Sequence, residues 1–357
     1  MMGNTLMGSQ LMQLLGVRAP ILLGPFGGLS SIRLTGEVSE LGGLGSYGLY
    51  GYSRSRIVDT VAELRAATSR PFALNLWLPY NDERGSENGA DFESALAALA
   101  PFFRQLGIDE PERPPSFLPS FDEQFRAVID SAPAVVSFVY GVPSLDVVEQ
   151  AHRAGIVVIG TATTVDEAVA LERGGVDAVV GTGSEAAGHR VSFLLPAEES
   201  LVGTFALIPQ IVDAIDIPVI AAGGIADRRG VAAAFALGAS GVQVGTAFLR
   251  TEQSAASPSY RAAISQVTAH GTVLTRAMSG RLARGIPNQA VREIEMADHI
   301  ASFPAQNWLT GRFRGEAARR DRAELQSLWA GQAASLARLA EARDVFAELA
   351  MGVPNDR

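Results

Sequence analysis

Eight short apolar runs separated by segments of helical period predict an α/β fold, a (β/α)8 TIM barrel with an insertion after the third strand and a C-terminal helical cap. The runs centre near residues 20, 45, 72, 135, 157, 177, 218 and 241. They are β-branched and continuous rather than alternating, as expected of parallel strands covered on both faces. Repeated strand–helix alternation is the pattern of α/β architectures. Between residues 157 and 241 two of the three strand spacings, 157 to 177 and 218 to 241, are about 20 residues, which favours the barrel over a doubly wound open sheet.

The first strand is Ala19–Leu23, followed by Gly24, Gly27 and Gly28. Ser30 or Ser31 caps a helix to about Leu41, stopped by Gly42 and Gly43. Leu44–Leu49 is the second strand. Ser53–Thr68, with Ile57, Val58, Val61 and Leu64 on one face, is a helix. Pro71–Trp77 is the third strand, with Asn75 in its middle. The stretch Leu78–Pro119 breaks the pattern: a polar loop, a helix over Asp91–Leu106, then Pro111, Pro114, Pro115 and Pro119, which forbid regular structure.

Regularity returns with helices over Phe121–Asp130 and Ser144–Ala154 and strands over Ala134–Val139 and Ile156–Ile159. Thr164 and Glu167 form a capping box that starts a helix running to Gly174. Val176–Val180, Ile217–Ala222 and Gly241–Gly245 are strands; Phe205–Ile215 and Asp227–Leu237 are helices. Beyond them, Pro258–Ala269 reads as a helix, Gly280–Pro287 as turn-rich, and Ala317–Leu349 as one or two helices split at Gly331. The expected division is a barrel over 1–250, interrupted at about 78–119, and a cap over 251–357 beside the barrel mouth.

Composition narrows the function. The 357 residues suit one barrel with insertions, and 47% hydrophobic content supports a large core. The net charge of −9 argues against general nucleic-acid binding. Arg312, Arg314, Arg319, Arg320 and Arg322 interleave with acids and read as a solvated helix face. There is no cysteine, hence no disulfide, thiolate metal site or thiol nucleophile. No apolar run reaches the ~18 residues of a membrane span, and Met1–Gln13 lacks the pattern of a secretory signal, so a cytoplasmic location is expected. No histidine–carboxylate cluster has metal-ligand spacing.

In a barrel, chemistry belongs at the C-terminal ends of the strands. The sixth end opens into Gly181–Phe193, a glycine-rich loop carrying His189, the histidine expected to do proton chemistry rather than serve structure. Glu185 in the same loop orients the ring or hydrogen-bonds backbone N–H groups, and the second use is expected. The seventh and eighth ends offer Gly223 and Gly224, then Gln243, Val244, Gly245 and Thr246. Such loops bind phosphate through glycine N–H groups; a plain tight turn is the alternative. Asn75 is either a satisfied core amide or a ligand contact.

These residues resemble the nitronate monooxygenase family, formerly called 2-nitropropane dioxygenases, which are FMN-containing TIM-barrel enzymes. The matching stretches are Ala19–Gly28 with Gly42–Gly45, Phe72–Asn75, Gly183–Arg190, and Ala221–Ile225 with Gln243–Thr246; Gly160–Thr164 and Trp329–Ala333 also look like the family. The resemblance spans residues 17 to 340. It implies that Asn75, Thr182 and Ala187 contact the flavin, that Leu22, Leu23 and Gly24 run along its ring, and that Gly223, Gly224, Gln243, Val244, Gly245 and Thr246 hold the FMN phosphate. It also implies that His189 is the base or positions the substrate. Thr182 and Ala187 depart from the family's usual Gln and Gly, and the loop after Leu22 lacks its Met-Ala-Gly-Gly form. The implied reaction is oxidation of a nitronate or nitroalkane by O2 to a carbonyl compound and nitrite, by a monomer or homodimer. Two alternatives stand beside it: an NAD(P)H-dependent enoyl-thioester or quinone reductase on the same barrel, and a flavin-binding protein without turnover.

Overall fold

The computed structural model describes residues 2–80, 89–297 and 299–354. Its strands, in chain order, are β1 (Ile21–Leu23), β2 (Gly45–Gly48), β3 (Phe72–Trp77), β4 (Val135–Val139), β5 (Val157–Ala162), β6 (Ala178–Thr182), β7 (Gly188–His189), β8 (Val219–Ala222), β9 (Gly241–Val244), β10 (Val273–Thr275) and β11 (Ala283–Gly285). The helices are α1 (Met2–Leu15), α2 (Ile32–Glu40), α3 (Arg54–Ala67), α4 (Gly89–Leu106), α5 (Phe121–Ser131), α6 (Leu145–Arg153) and α7 (Val165–Arg173). They continue with α8 (Thr204–Val212), α9 (Arg228–Ala236), α10 (Thr246–Leu249), α11 (Pro258–Gln266), α12 (Gln289–Met296), α13 (Ala305–Arg319) and α14 (Ala342–Ala350).

Eight parallel strands form one sheet in the order β1-β9-β8-β6-β5-β4-β3-β2. A parallel bridge between Leu22 and Leu44 brings its two ends together, with Leu23 N donating to Leu44 O and Leu44 N to Ile21 O. This is the predicted barrel, with all eight predicted strands in place. Side chains alternate across each strand. Leu22, Leu44, Ala73, Val135, Ile159, Val180 and Ile220 fill the inside, and Leu11 and Leu15 of α1 join that cluster. The alternate set, including Ile21, Leu23, Leu74, Val136, Val158, Val179 and Val242, faces the helices in the main core. Gly45 allows β2 to pass close to α2, because a Cβ there would lie 2.0 Å from Thr35 O.

Helix starts follow the side chains that cap them. Ser31, Ser53, Ser144 and Thr164 each accept a hydrogen bond from the backbone N–H three residues on, and Asp227 from that of Arg229. Thr164 caps α7 as predicted, but Glu167 does not reach back to Thr164 N–H. Its fully buried carboxylate accepts from Thr163 N and Oγ1, both at 2.7 Å, and from Phe193 and Leu194 N–H. The glutamate therefore fastens the segment after β7 to the start of α7.

The C-terminal third departs from expectation. Of the predicted helix over Ala317–Leu349, only α14 and the end of α13 are α-helical. The chain between them makes isolated 3-10 turns and runs along β11: Gly285 bridges Trp329, and Ile286 N donates to Leu328 O. Tertiary backbone pairing outweighs the local helical pattern there. The turn-rich stretch Gly280–Pro287 contains β11, which pairs antiparallel with both β10 and β7. α1, α12 and α13 were not legible as helices; Gly311, Gly315 and the arginines around them interrupt the apolar rhythm of α13.

α14 packs on α2 and α9, in the outer ring of the barrel. The insertion helix α4 instead shares a separate core with α12 and α13, built from Phe92, Leu99, Phe102, Phe103, Ile294, Leu309 and Phe313. Phe313 stacks on Phe102 at 5.0 Å and meets Phe103 edge-on at 5.9 Å. Phe313→Ala should therefore cost about 3–5 kcal/mol and loosen α4. Hydrogen exchange should show α4 and α13 losing protection together while the barrel strands keep theirs; unchanged protection in α4 would refute the shared core.

Candidate active site

The C-terminal ends of the strands open into a cavity of about 720 Å³. Ten of the thirteen residues predicted for the site line it: Gly24, Asn75, Thr182, Ala187, His189, Gly223, Gly224, Gln243, Gly245 and Thr246. Leu22, Leu23 and Val244 do not. Leu22 points into the barrel interior, and Leu23 and Val244 into the core under the helices. Asn75, nearly buried, donates from Nδ2 to Ser137 Oγ at 3.0 Å and Ser137 O at 3.2 Å, while its Oδ1 has no partner among the described residues. It is thus both a braced core amide and a cavity-lining acceptor.

One wall is a glycine cradle. Gly223 and Gly224 hold φ of 101° and 73°, a region that favours glycine. A Cβ at Gly223 would lie 3.0 Å from Thr204 Oγ1 and 3.2 Å from Ala186 N. Among the described residues, the N–H groups of Gly223, Gly224, Gly245 and Thr246 have no backbone acceptor. The wall is braced from behind. Glu185 accepts from Thr204 N at 2.9 and 3.0 Å and from Thr204 Oγ1 at 2.9 Å, the backbone role expected of it. Arg190, almost wholly buried, donates to Gly183 O at 2.7 Å and Thr182 O at 3.0 Å. Gly331 N donates to Thr246 Oγ1 at 3.0 Å and Gln332 N to Glu185 O at 2.9 Å, joining the C-terminal segment to the cradle. Clustered N–H donors of this kind suit an anion such as a phosphate.

His189 lies in β7, not in a free loop. Its backbone is paired to Ala283 of β11, and Arg190 N donates to Leu282 O. The ring stands edge-on to Trp77 at 5.1 Å and tilted against Trp329 at 5.5 Å. Nε2 lies 2.8 Å from Ser279 Oγ, and Ser279 Oγ donates to Arg281 O at 3.1 Å. With the hydroxyl proton so used, the network assigns Nε2–H to the imidazole and leaves the lone pair on Nδ1. Burial, assisted by the Arg281 and Arg314 guanidinia, pushes its pKa down to about 3. The ring is therefore neutral at physiological pH.

Sequence reasoning missed most of the surroundings of this ring. Trp77, Trp329, Tyr50, Asn307 and Arg314 all line the cavity. Arg281 lies behind it, its guanidinium 3.7 Å from the Phe303 ring centre and 4.1 Å from that of Tyr140. The arginine cluster was expected on a solvated helix face. Arg319 and Arg320 fit that reading, pairing with Glu316, as does Arg322 with Glu324. Arg314 does not: it faces inward, where burial holds its pKa down to about 10. The overlooked signal lay in Gly311 and Gly315, whose spacing marks the cavity side of α13. Among the described residues no cluster of three histidines or carboxylates could hold a metal, and no helix is long and apolar enough to cross a membrane.

The sequence profile of the nitronate monooxygenase family matches residues 8–352. A probable nitronate monooxygenase of Staphylococcus aureus (strain MSSA476) is 40% identical over 331 residues, 92% of each chain. Among solved structures, nitroalkane oxidase from Streptomyces ansochromogenes superposes with a TM-score of 0.84 at 33% identity, covering 95% of this chain and 96% of that one. FabK from Thermotoga maritima gives 0.74 at 28% identity, covering 95% and 94%.

The buried neutral ring has a consequence for stability. As pH falls below the ordinary histidine value of about 6.5, the unfolded chain takes up a proton that the folded chain refuses until about pH 3. This group therefore draws down stability through that window. Between about pH 6.5 and 4.5, the urea midpoint of His189→Asn should fall less steeply than that of the unmodified protein. Equal slopes would mean that the folded state protonates the ring.

Proposed function

The chain belongs to the nitronate monooxygenase family, and on that premise we propose that it is a flavin-dependent oxidoreductase, with FMN as the flavin, that oxidises alkyl nitronates or nitroalkanes with O2 to a carbonyl compound and nitrite. One observation carries the reading: a neutral imidazole, wedged between two tryptophans, shares a cavity with a glycine cradle whose N–H groups have no backbone acceptor among the described residues. The cradle fits the phosphate of FMN, and the contiguous cavity reaching Asn75 and His189 fits its ring. Gly223, Gly224, Gly245 and Thr246 would hold the phosphate; Asn75, Thr182 and Gly24 would line the ring system. Ala187 stands between the cradle and His189. Bound there, the flavin supplies an electron acceptor that O2 can reoxidise.

The chain's own residues set the proton chemistry. His189 offers Nδ1 as acceptor for the α-proton of a neutral nitroalkane, and Ser279 holds the ring in that orientation. Its depressed pKa makes it a weak base, because a proton gained there meets two nearby guanidinia. The same positive surroundings favour a substrate that arrives already anionic. The site is accordingly better matched to a preformed nitronate than to a neutral nitroalkane. Trp77 and Trp329 shield the ring and keep water from the reacting carbon.

The purified protein should be yellow, with absorption near ~370 and ~450 nm. Under anaerobic conditions a nitronate should bleach it, and air should restore the colour with release of nitrite. Rapid bleaching by NADH or NADPH, with none by nitronate, would support a reductase instead. His189→Ala should keep its flavin and lose ~100-fold or more in activity toward neutral nitroethane. Because its pKa is about 3, His189 should add no ionisation to the nitronate rate profile above about pH 4. Gly223→Ala should lower flavin content, since its Cβ would crowd Thr204 and Ala186; full retention of flavin would remove Gly223 from the phosphate site.

A further inference from the structure

Arg314 is a half-buried cation to which that scheme gives no direct contact with substrate. Its Nη1 donates to Ser327 Oγ at 2.9 Å, and its Nη2 donates to Asn307 O and Oδ1 at 3.0 and 2.8 Å. All three acceptors are neutral, and Nε–H has none. The buried arginines of the site differ. Arg190 feels Glu167 and Glu185, and Arg284 feels Glu185. Among the described residues no carboxylate acts on Arg314. A desolvated guanidinium without a counter-charge is costly, and its cost is relieved when an anion enters beside it.

The surroundings show where that anion would sit. Asn307, which holds the guanidinium, also donates to Tyr50 Oη at 3.0 Å. Tyr50 packs on Trp77 at 4.4 Å, Trp77 on His189, and His189 on Trp329. Trp329 lies two residues beyond Ser327, which completes the circuit back to Arg314. Every member of this ring faces the one cavity. One arc carries a neutral imidazole and the other a fixed positive charge, with aromatic faces between them.

We propose that Arg314 is the anion receptor of this chamber, holding a substrate nitronate by its charge and one remaining N–H while Trp77, Tyr50 and Trp329 enclose its short alkyl group. The inference rests on the nitronate reading given above. Charge favours it: a nitronate carries a full negative charge on its oxygens, and with three N–H groups of Arg314 taken by Asn307 and Ser327 the guanidinium keeps its charge and a second Nη1–H for one of them. The charge of Arg314 does not depend on pH in the working range, so recognition of the anion does not depend on protonating His189. With a neutral nitroalkane, Arg314 would act only as negative charge develops on the nitro group, and would show in kcat more than in KM.

The test uses the flavin-loaded protein and propionate, an unreactive monoanion shaped like ethyl nitronate. Binding is followed by calorimetry, with Arg314→Gln and Arg314→Lys beside the unmodified protein. Propionate affinity and the KM for ethyl nitronate should weaken at least ~10-fold in Arg314→Gln, with flavin content unchanged. Arg314→Lys should fall between the two, since it keeps the charge and loses the planar group that Asn307 and Ser327 hold in place; it also carries the test if the Gln variant does not fold. Unchanged propionate affinity in a folded variant would overturn the proposal. So would loss of flavin with propionate binding intact, which would assign Arg314 to the cofactor. Propionate binding that needs Arg314, in a protein that oxidises no nitronate, would support the anion site while refuting the proposed reaction.

Discussion

The pairing of Gly188 and His189 with Ala283 and Arg284 is the constraint on which the site depends. It converts the loop after the sixth barrel strand into an edge of a small antiparallel sheet. Barrel loops are ordinarily the mobile part of the fold. Here backbone hydrogen bonds fix the imidazole's Cα, Ser279 fixes its ring, and Trp329 arrives at its face because Gly285 bridges that residue in turn. The C-terminal segment is therefore part of the active-site wall rather than an accessory to it. Glu167 secures the far end of the same loop from the start of α7.

Electrostatically the molecule is divided. The chain as a whole carries a net charge of −9, yet the His189 end of the cavity feels two guanidinia. Among the described residues the one carboxylate on the cavity wall, Glu185, is occupied by Thr204 at the start of α8. Local charge of this kind outweighs the distant field, because low-dielectric walls strengthen close interactions and salt screens remote ones. An anion would therefore meet an attractive chamber inside an acidic protein, and the imidazole is kept neutral chiefly by burial, with the same charges assisting.

What was legible in the sequence was whatever local pattern determines. The eight barrel strands are continuous apolar runs, and the caps at Ser31, Ser53, Ser144 and Thr164 are short-range hydrogen bonds, so both could be read. The cavity positions of Gly223, Gly224, Gly245 and His189 followed from strand ends. The side chains of Leu22, Leu23 and Val244 serve the barrel interior or the outer core instead, because neighbouring positions on a strand face opposite sides. The aromatic and cationic half of the site was not legible. Tyr50, Asn307 and Arg314 meet only through tertiary contact, and β11 carries too few residues to show a strand pattern of its own. Arg314 looked like its solvated neighbours because the only mark of its inward turn, the spacing of Gly311 and Gly315, carries no charge or apolar pattern.

The hydrogen bond between Tyr50 and Asn307 spans 257 residues, and that between His189 and Ser279 spans 90. During synthesis the barrel strands emerge in order and can begin to pair before α13 and the Trp329 segment have been made. The cavity wall cannot close until those segments have appeared. A chain ending just after β9 would hold all eight barrel strands and still lack the contacts of Tyr50 with Asn307 and of His189 with Ser279.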